Sequence, residues 1–146
     1  YTLFLEHYNE NCSERTTIYD GVIAYLEKIK EIPGLKIGLL TNKPYQPTEK
    51  ILKYLKLEQY FDIVVGGDTL KTRKPNPEGI EFIMKTMGRT AEETIMVGDS
   101  MPDFEAARRA GVRCLGIQGG FGGKGSQEGD LSISKFSEIN DLDLGL

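Results

Sequence analysis

No run of apolar residues approaches the roughly 18 that a membrane-spanning helix requires, and no secretory apolar segment opens the chain. Excess positive charge is also missing. The 18 Lys and Arg stand against 22 Asp and Glu, for a net charge of -4. That balance offers no basic field to nucleic acid or to an anionic membrane. Cysteine is scarce: Cys12 and Cys114 lie far apart and form neither a metal-ligand spacing nor a disulfide framework. A reducing, cytoplasmic setting is the matching expectation. Methionine is missing from the first position, where Tyr1 stands, and a fragment is the corresponding expectation. What remains is ordinary globular material. The 146 residues, 39% apolar and with 17 glycines, suit one core of domain size.

Short apolar runs alternate with helical patterns along the chain. Val22, Ile23, Leu26 and Ile29 fall at helical spacing, and Pro33-Gly34 stops that helix. A buried strand is expected over 35–40, and Pro47 is expected to open the next helix. A second strand over 61–65 ends in Gly66-Gly67. Asn76 and Pro77 suit the cap and first residue of a helix running to Gly88. A strand over 94–97, a helix over 101–110 closed by Gly111, and a strand over 112–117 follow. The tail around Leu131, Ile133, Phe136 and Ile139 suits a short strand and a turn of helix. Such alternation predicts an α/β fold, a Rossmann-like parallel sheet with helices on both faces.

Ligands in such sheets sit beyond the carboxyl ends of the strands. Three polar clusters are expected there: Thr41-Asn42-Lys43-Pro44, Arg73-Lys74-Pro75-Asn76-Pro77, and Gly98-Asp99-Ser100-Met101-Pro102-Asp103. A hydroxyl, a lysine and two carboxylates converging on one edge can hold a phosphate together with a hard cation. Each has a plainer reading. Thr41 and Asn42 can end a strand and cap a helix, and Ser100 with Asp103 reads as a capping box. Lys74 is one cation among several, although its flanking prolines fix its backbone direction. Asp99 has no such structural reason to end an apolar strand, where a carboxylate needs a partner.

From Tyr19-Asp20-Gly21-Val22 through GLLTNKP, YFDIVVGGD, KPNPEG and VGDSMPDFEAARRAG to about Phe121, the sequence resembles the haloacid dehalogenase-type phosphohydrolases, in their phosphoglycolate phosphatase branch. The resemblance implies a magnesium-dependent phosphatase for a small phosphate monoester, with 2-phosphoglycolate the leading substrate. Pyrophosphatase or sugar-phosphate phosphatase activity is the runner-up. It implies that Thr41 binds phosphate through its hydroxyl, that Asn42 offers its backbone N–H, and that Lys74 neutralises phosphate and nucleophile. It further implies that Asp99 is a direct magnesium ligand and Asp103 its supporting carboxylate.

The sequence departs from the family at its start. The family opens with a strand ending in D-x-D-G-T, whose first aspartate accepts the phosphoryl group, and continues into a helical cap. Neither is present, so no residue of this chain is expected to be the nucleophile. Residues 1–16 read as a remnant of the cap or a linker, and 17–146 as a partial core lacking its first strand. The sheet should then be incomplete at its centre, without direct pairing of 36–40 with 95–98. A retained N-terminal fragment or a neighbouring chain could complete it. Without either, a catalytically inactive phosphate-binding fragment is expected. Asp141-Leu142-Asp143 lacks a preceding apolar strand and is set aside as a nucleophile motif. The glycine pattern over 120–125 opens no helix, which excludes a dinucleotide site there. A signalling receiver domain is excluded by order, because Thr41 and Lys74 precede Asp99 and Asp103.

Overall fold

The computed structural model describes residues 18–118 and 130–142. The expected cap remnant over 1–16, Cys12, the glycine pattern over 120–125 and Asp143 lie outside them. Four helices, α1 (Val22–Lys30), α2 (Tyr45–Tyr54), α3 (Glu78–Met87) and α4 (Met101–Ala110), alternate with strands β1 (Gly38–Leu40), β2 (Ile63–Val65), β3 (Ile95–Gly98), β4 (Arg113–Ile117) and β5 (Leu131–Ile133). Two 3-10 turns, Glu58–Tyr60 and Phe136–Asp141, complete the path. Asp141 therefore ends a helical turn, which is not a setting for a strand-end nucleophile.

Among the described residues all ladders are parallel, as the alternation predicts, but they form two sheets. One joins β1 to β2, with Gly38 opposite Ile63 and Leu40 opposite Val65. The other runs β3-β4-β5, with Ile95 opposite Arg113 and Leu115 opposite Leu131. Among the described residues no ladder joins β1 to β3. The expected break at the centre is where the two sheets part.

The halves nonetheless share their packing. Consecutive residues of a strand point to opposite faces. Leu39, Val64, Ile95 and Leu115 accordingly meet Tyr25, Leu26 and Ile29 of α1 and Leu52 of α2 on one face. Leu40, Met96 and Cys114 meet Ile80 of α3 and Phe104, Ala106 and Ala107 of α4 on the other. Each half-sheet thus contributes to both apolar clusters. That shared burial, rather than backbone pairing, holds β1 and β3 in one body.

Several boundaries differ from expectation for local reasons. The run over 35–37 stays outside β1 because the Asp62 carboxylate takes the Ile37 N–H at 2.8 Å. Helix α2 starts before Pro47. Pro47 instead occupies the first turn, where its missing N–H costs nothing, and is fully buried there. Helix α3 starts one residue after Pro77, and Asn76 Oδ1 accepts from the Glu78 N–H at 3.0 Å. Gly88 and Gly111 end α3 and α4 in the left-handed region, at φ 64° and 71°, as expected.

Candidate active site

The site collects at the carboxyl ends of β1 and β3. The Ile37 carbonyl and the Thr41 N–H both bond to the β2 side, the latter to the Val65 carbonyl at 3.0 Å. By alternation, Leu40 faces away from β2. Its carbonyl accepts from Lys74 Nζ at 2.9 Å, on the side where the sheet is interrupted. The same ammonium meets Asp103 Oδ1 at 2.6 Å, with side chains 11% and 6% exposed. One lysine therefore spans from the end of β1 to the first turn of α4. An ammonium has three N–H donors, so one stays available beyond these two bonds.

The Thr41-Asn42-Lys43 turn is built around its own polar groups. The Thr41 hydroxyl accepts from the Lys43 N–H at 3.1 Å and keeps its own proton for an anion. Asn42 Nδ2 donates to the Lys74 carbonyl at 2.8 Å, which joins the first cluster to the second. Asn42 Oδ1 is buried and has no hydrogen-bond partner. The Asn42 backbone N–H has none among the described residues either. Of the two, only the backbone N–H can donate to an anion.

Sequence reasoning missed what shapes that turn. The Gly67 N–H donates to the Lys43 carbonyl at 2.7 Å, and a Cβ on Gly67 would lie 2.1 Å from the Asn42 carbonyl oxygen. The Asp68 carboxylate accepts from the Tyr45 N–H at 2.7 Å and so steadies the start of α2. The signal was the Gly66-Gly67 pair at a strand end, which marks close backbone approach.

Asp103 is 4% exposed, and both its oxygens are engaged. Oδ2 accepts from the Ser100 hydroxyl at 2.6 Å and from the Ser100 and Asp99 N–H groups at 3.1 and 3.3 Å. This is the expected capping box, with Asp99 added to it. Burial pushes the Asp103 carboxyl up, but the Lys74 charge and hydrogen bond, with Ser100 and the Asp99 N–H, hold it below the ordinary carboxylate value. A Cβ on Gly98 would lie 2.5 Å from the Asp103 Cβ, so this packing requires glycine at the end of β3.

Asp99 is half-buried at the end of β3, its backbone fixed by Asp103. No group of three His, Cys, Asp or Glu side chains able to hold a metal occurs among the described residues. A magnesium ion does not need one. It keeps several waters and takes one or two carboxylates together with substrate phosphate oxygens. Asp99, a half-buried carboxylate directly after β3 whose backbone is held by Asp103, has the oxygen chemistry a hard cation takes, and these residues fit the ion.

The profile of the haloacid dehalogenase-like hydrolases matches residues 1–117. The chain belongs to that family. Phosphoglycolate phosphatase 1 of Pseudomonas aeruginosa is 40% identical over 119 residues, covering 82% of this chain and 43% of that protein. Phosphoglycolate phosphatase of Aquifex aeolicus is 34% identical over 137 residues, covering 94% of this chain and 64% of its own. A crystal structure of a predicted phosphoglycolate phosphatase from Haemophilus somnus 129pt superposes with a TM-score of 0.88 at 27% identity, over 96% of this chain and 63% of that one. The chain spans about half the length of the curated relatives it matches. No helix among the described residues is long and apolar enough to cross a membrane.

Proposed function

We propose that this chain supplies the phosphate- and magnesium-binding half of a phosphatase for small phosphate monoesters, with 2-phosphoglycolate the leading substrate. The observation that carries the reading is Lys74, drawn between the Leu40 carbonyl and the Asp103 carboxylate across the interrupted sheet. That placement puts a fixed positive charge where the two half-sheets would flank an added strand. The names of the relatives support the substrate class.

In this reading Thr41 donates its hydroxyl proton to one phosphate oxygen, and the Asn42 N–H donates to another. Lys74 presents its remaining N–H and its charge to the transferring group. Such electrostatic positioning is most of what phosphoryl transfer requires of a protein. Asp99 would hold magnesium, whose charge offsets that on the phosphate oxygens. Asp103 holds Lys74 and the Asp99 backbone in place. The phosphoryl acceptor is an aspartate outside this chain. Its carboxylate oxygen would bond to phosphorus as the ester P–O bond breaks, and water would then hydrolyse the aspartyl-phosphate. We assign that aspartate to a strand filling the space between β1 and β3, from a retained N-terminal segment or a neighbouring chain.

Phosphate release from 2-phosphoglycolate with magnesium tests the reading. The 146-residue chain alone should release none above an Asp99→Asn control. Release above that control would place the acceptor within this chain and overturn the assignment.

A further inference from the structure

Lys74 lies between β2 and α3, where neither ladder nor helix sets the backbone. Its ammonium must still be delivered to Leu40 and Asp103. On one side the Asn42 amide holds the Lys74 carbonyl. On the other, Glu78, the first residue of α3, turns its carboxylate back over the loop. Its Oε2 accepts from the Thr72 N–H at 3.0 Å and, closer still, from the Thr72 hydroxyl. Thr72 precedes Lys74 and Glu78 follows it, so the carboxylate closes a ring around the lysine's backbone. Within that ring the Asn76 N–H donates to the Arg73 carbonyl at 2.9 Å.

The anchor of the ring is firm. A Cβ on Gly79 would lie 2.6 Å from Leu40 Cδ1, and Ile80 is 4% exposed. The start of α3 therefore sits against the same Leu40 whose carbonyl receives Lys74. An acidic residue in the first turn is favourable to the helix dipole alone. The dipole does not explain why both hydrogen bonds described for this carboxylate go to Thr72, outside the helix.

We propose that Glu78 is a positioning residue for Lys74, a clasp that fixes the height of the lysine loop over the sheet ends. The proposal rests on the phosphate-site reading for its consequence, but the clasp itself is a property of the loop. Orthophosphate binding with magnesium, by calorimetry, and amide hydrogen exchange over residues 70–77 test it on the full 146-residue chain. Glu78→Ala should speed exchange over 70–77, leave exchange in α4 and β4 unchanged, and weaken orthophosphate binding about tenfold. Glu78→Gln keeps an oxygen able to accept both bonds and should restore both readouts. Unchanged exchange in Glu78→Ala would overturn the clasp. So would a Glu78→Gln chain as loose and as weak as Glu78→Ala. If the unaltered chain binds no orthophosphate, the phosphate reading fails, and the exchange comparison alone decides the clasp.

Discussion

Lys74 and Asp103 meet at 2.6 Å, and that contact ties the loop ahead of α3 to the first turn of α4. A pair this dry matters through what its loss leaves behind. Asp103→Ala would strand a buried ammonium and remove the return arm of the capping box, which together cost about 3–5 kcal/mol. Urea unfolding measures this, and Lys74→Met with Asp103→Asn, which removes the stranded ammonium and keeps a capping oxygen, should recover most of the loss. A single-variant loss of about 1 kcal/mol or less, as for an exposed pair, would contradict the assignment.

Acid should unfold the chain through two carboxylates. Burial pushes Asp103 up, but Lys74 and the capping box hold it below its ordinary value. Burial also pushes Asp62 up, but the Ile37 N–H, Lys30 and Lys36 hold it down. Both bind protons less readily folded than unfolded. Their stabilisation is complete above the unfolded carboxylate value of about 4 and is lost as pH falls through the lower folded values. The urea midpoint should drop steeply below about pH 4, and Asp62→Asn with Asp103→Asn should flatten that drop. A wild-type midpoint that stays level through this range would contradict the prediction.

Gly67→Ala should damage the phosphate turn. Its Cβ would lie 2.1 Å from a backbone oxygen, so the Asn42 turn or the Gly66-Gly67 segment must move. Overpacking of this kind costs about 1–3 kcal/mol. Thermal unfolding and orthophosphate titration check it, and native values in both would show that the turn yields without consequence.

Most of the fold was legible in sequence because alternating patterns and turn residues agreed. Gly88 and Gly111 stopped their helices where expected, and Ser100 with Asp103 formed its capping box. The expected lack of pairing between β1 and β3 matches the described ladders. Strand starts were less legible, since Asp62 diverts Ile37 by a side-chain bond that no local pattern announces. In the candidate site, residue types singled out Thr41, Asn42, Lys74, Asp99 and Asp103, and hydrogen bonds link Asn42 to Lys74, Lys74 to Asp103 and Asp103 to Asp99. Pattern alone could not show that Asp103 spends both oxygens within the protein. Nor could it show that Glu78 reaches back to Thr72, because that bond depends on the path of a loop.

Cys114 should be inert in the folded chain. Burial pushes its thiol up to about 12, and the Asp103 and Asp130 carboxylates add to the shift. At mildly alkaline pH almost none is thiolate, the reactive form. Labelling of Cys114 by iodoacetamide, followed by mass spectrometry of its peptide, should be far slower in buffer than in urea. Equal rates would contradict the burial of β4.

The most direct test uses the protein of the full reading frame. Magnesium-dependent phosphate release from 2-phosphoglycolate, at saturating magnesium, should fall about a hundredfold to a thousandfold in Lys74→Ala, the usual loss for one charge-stabilising group. A Lys74→Ala enzyme with near-normal turnover would contradict the placement of Lys74 at the transferring phosphoryl group.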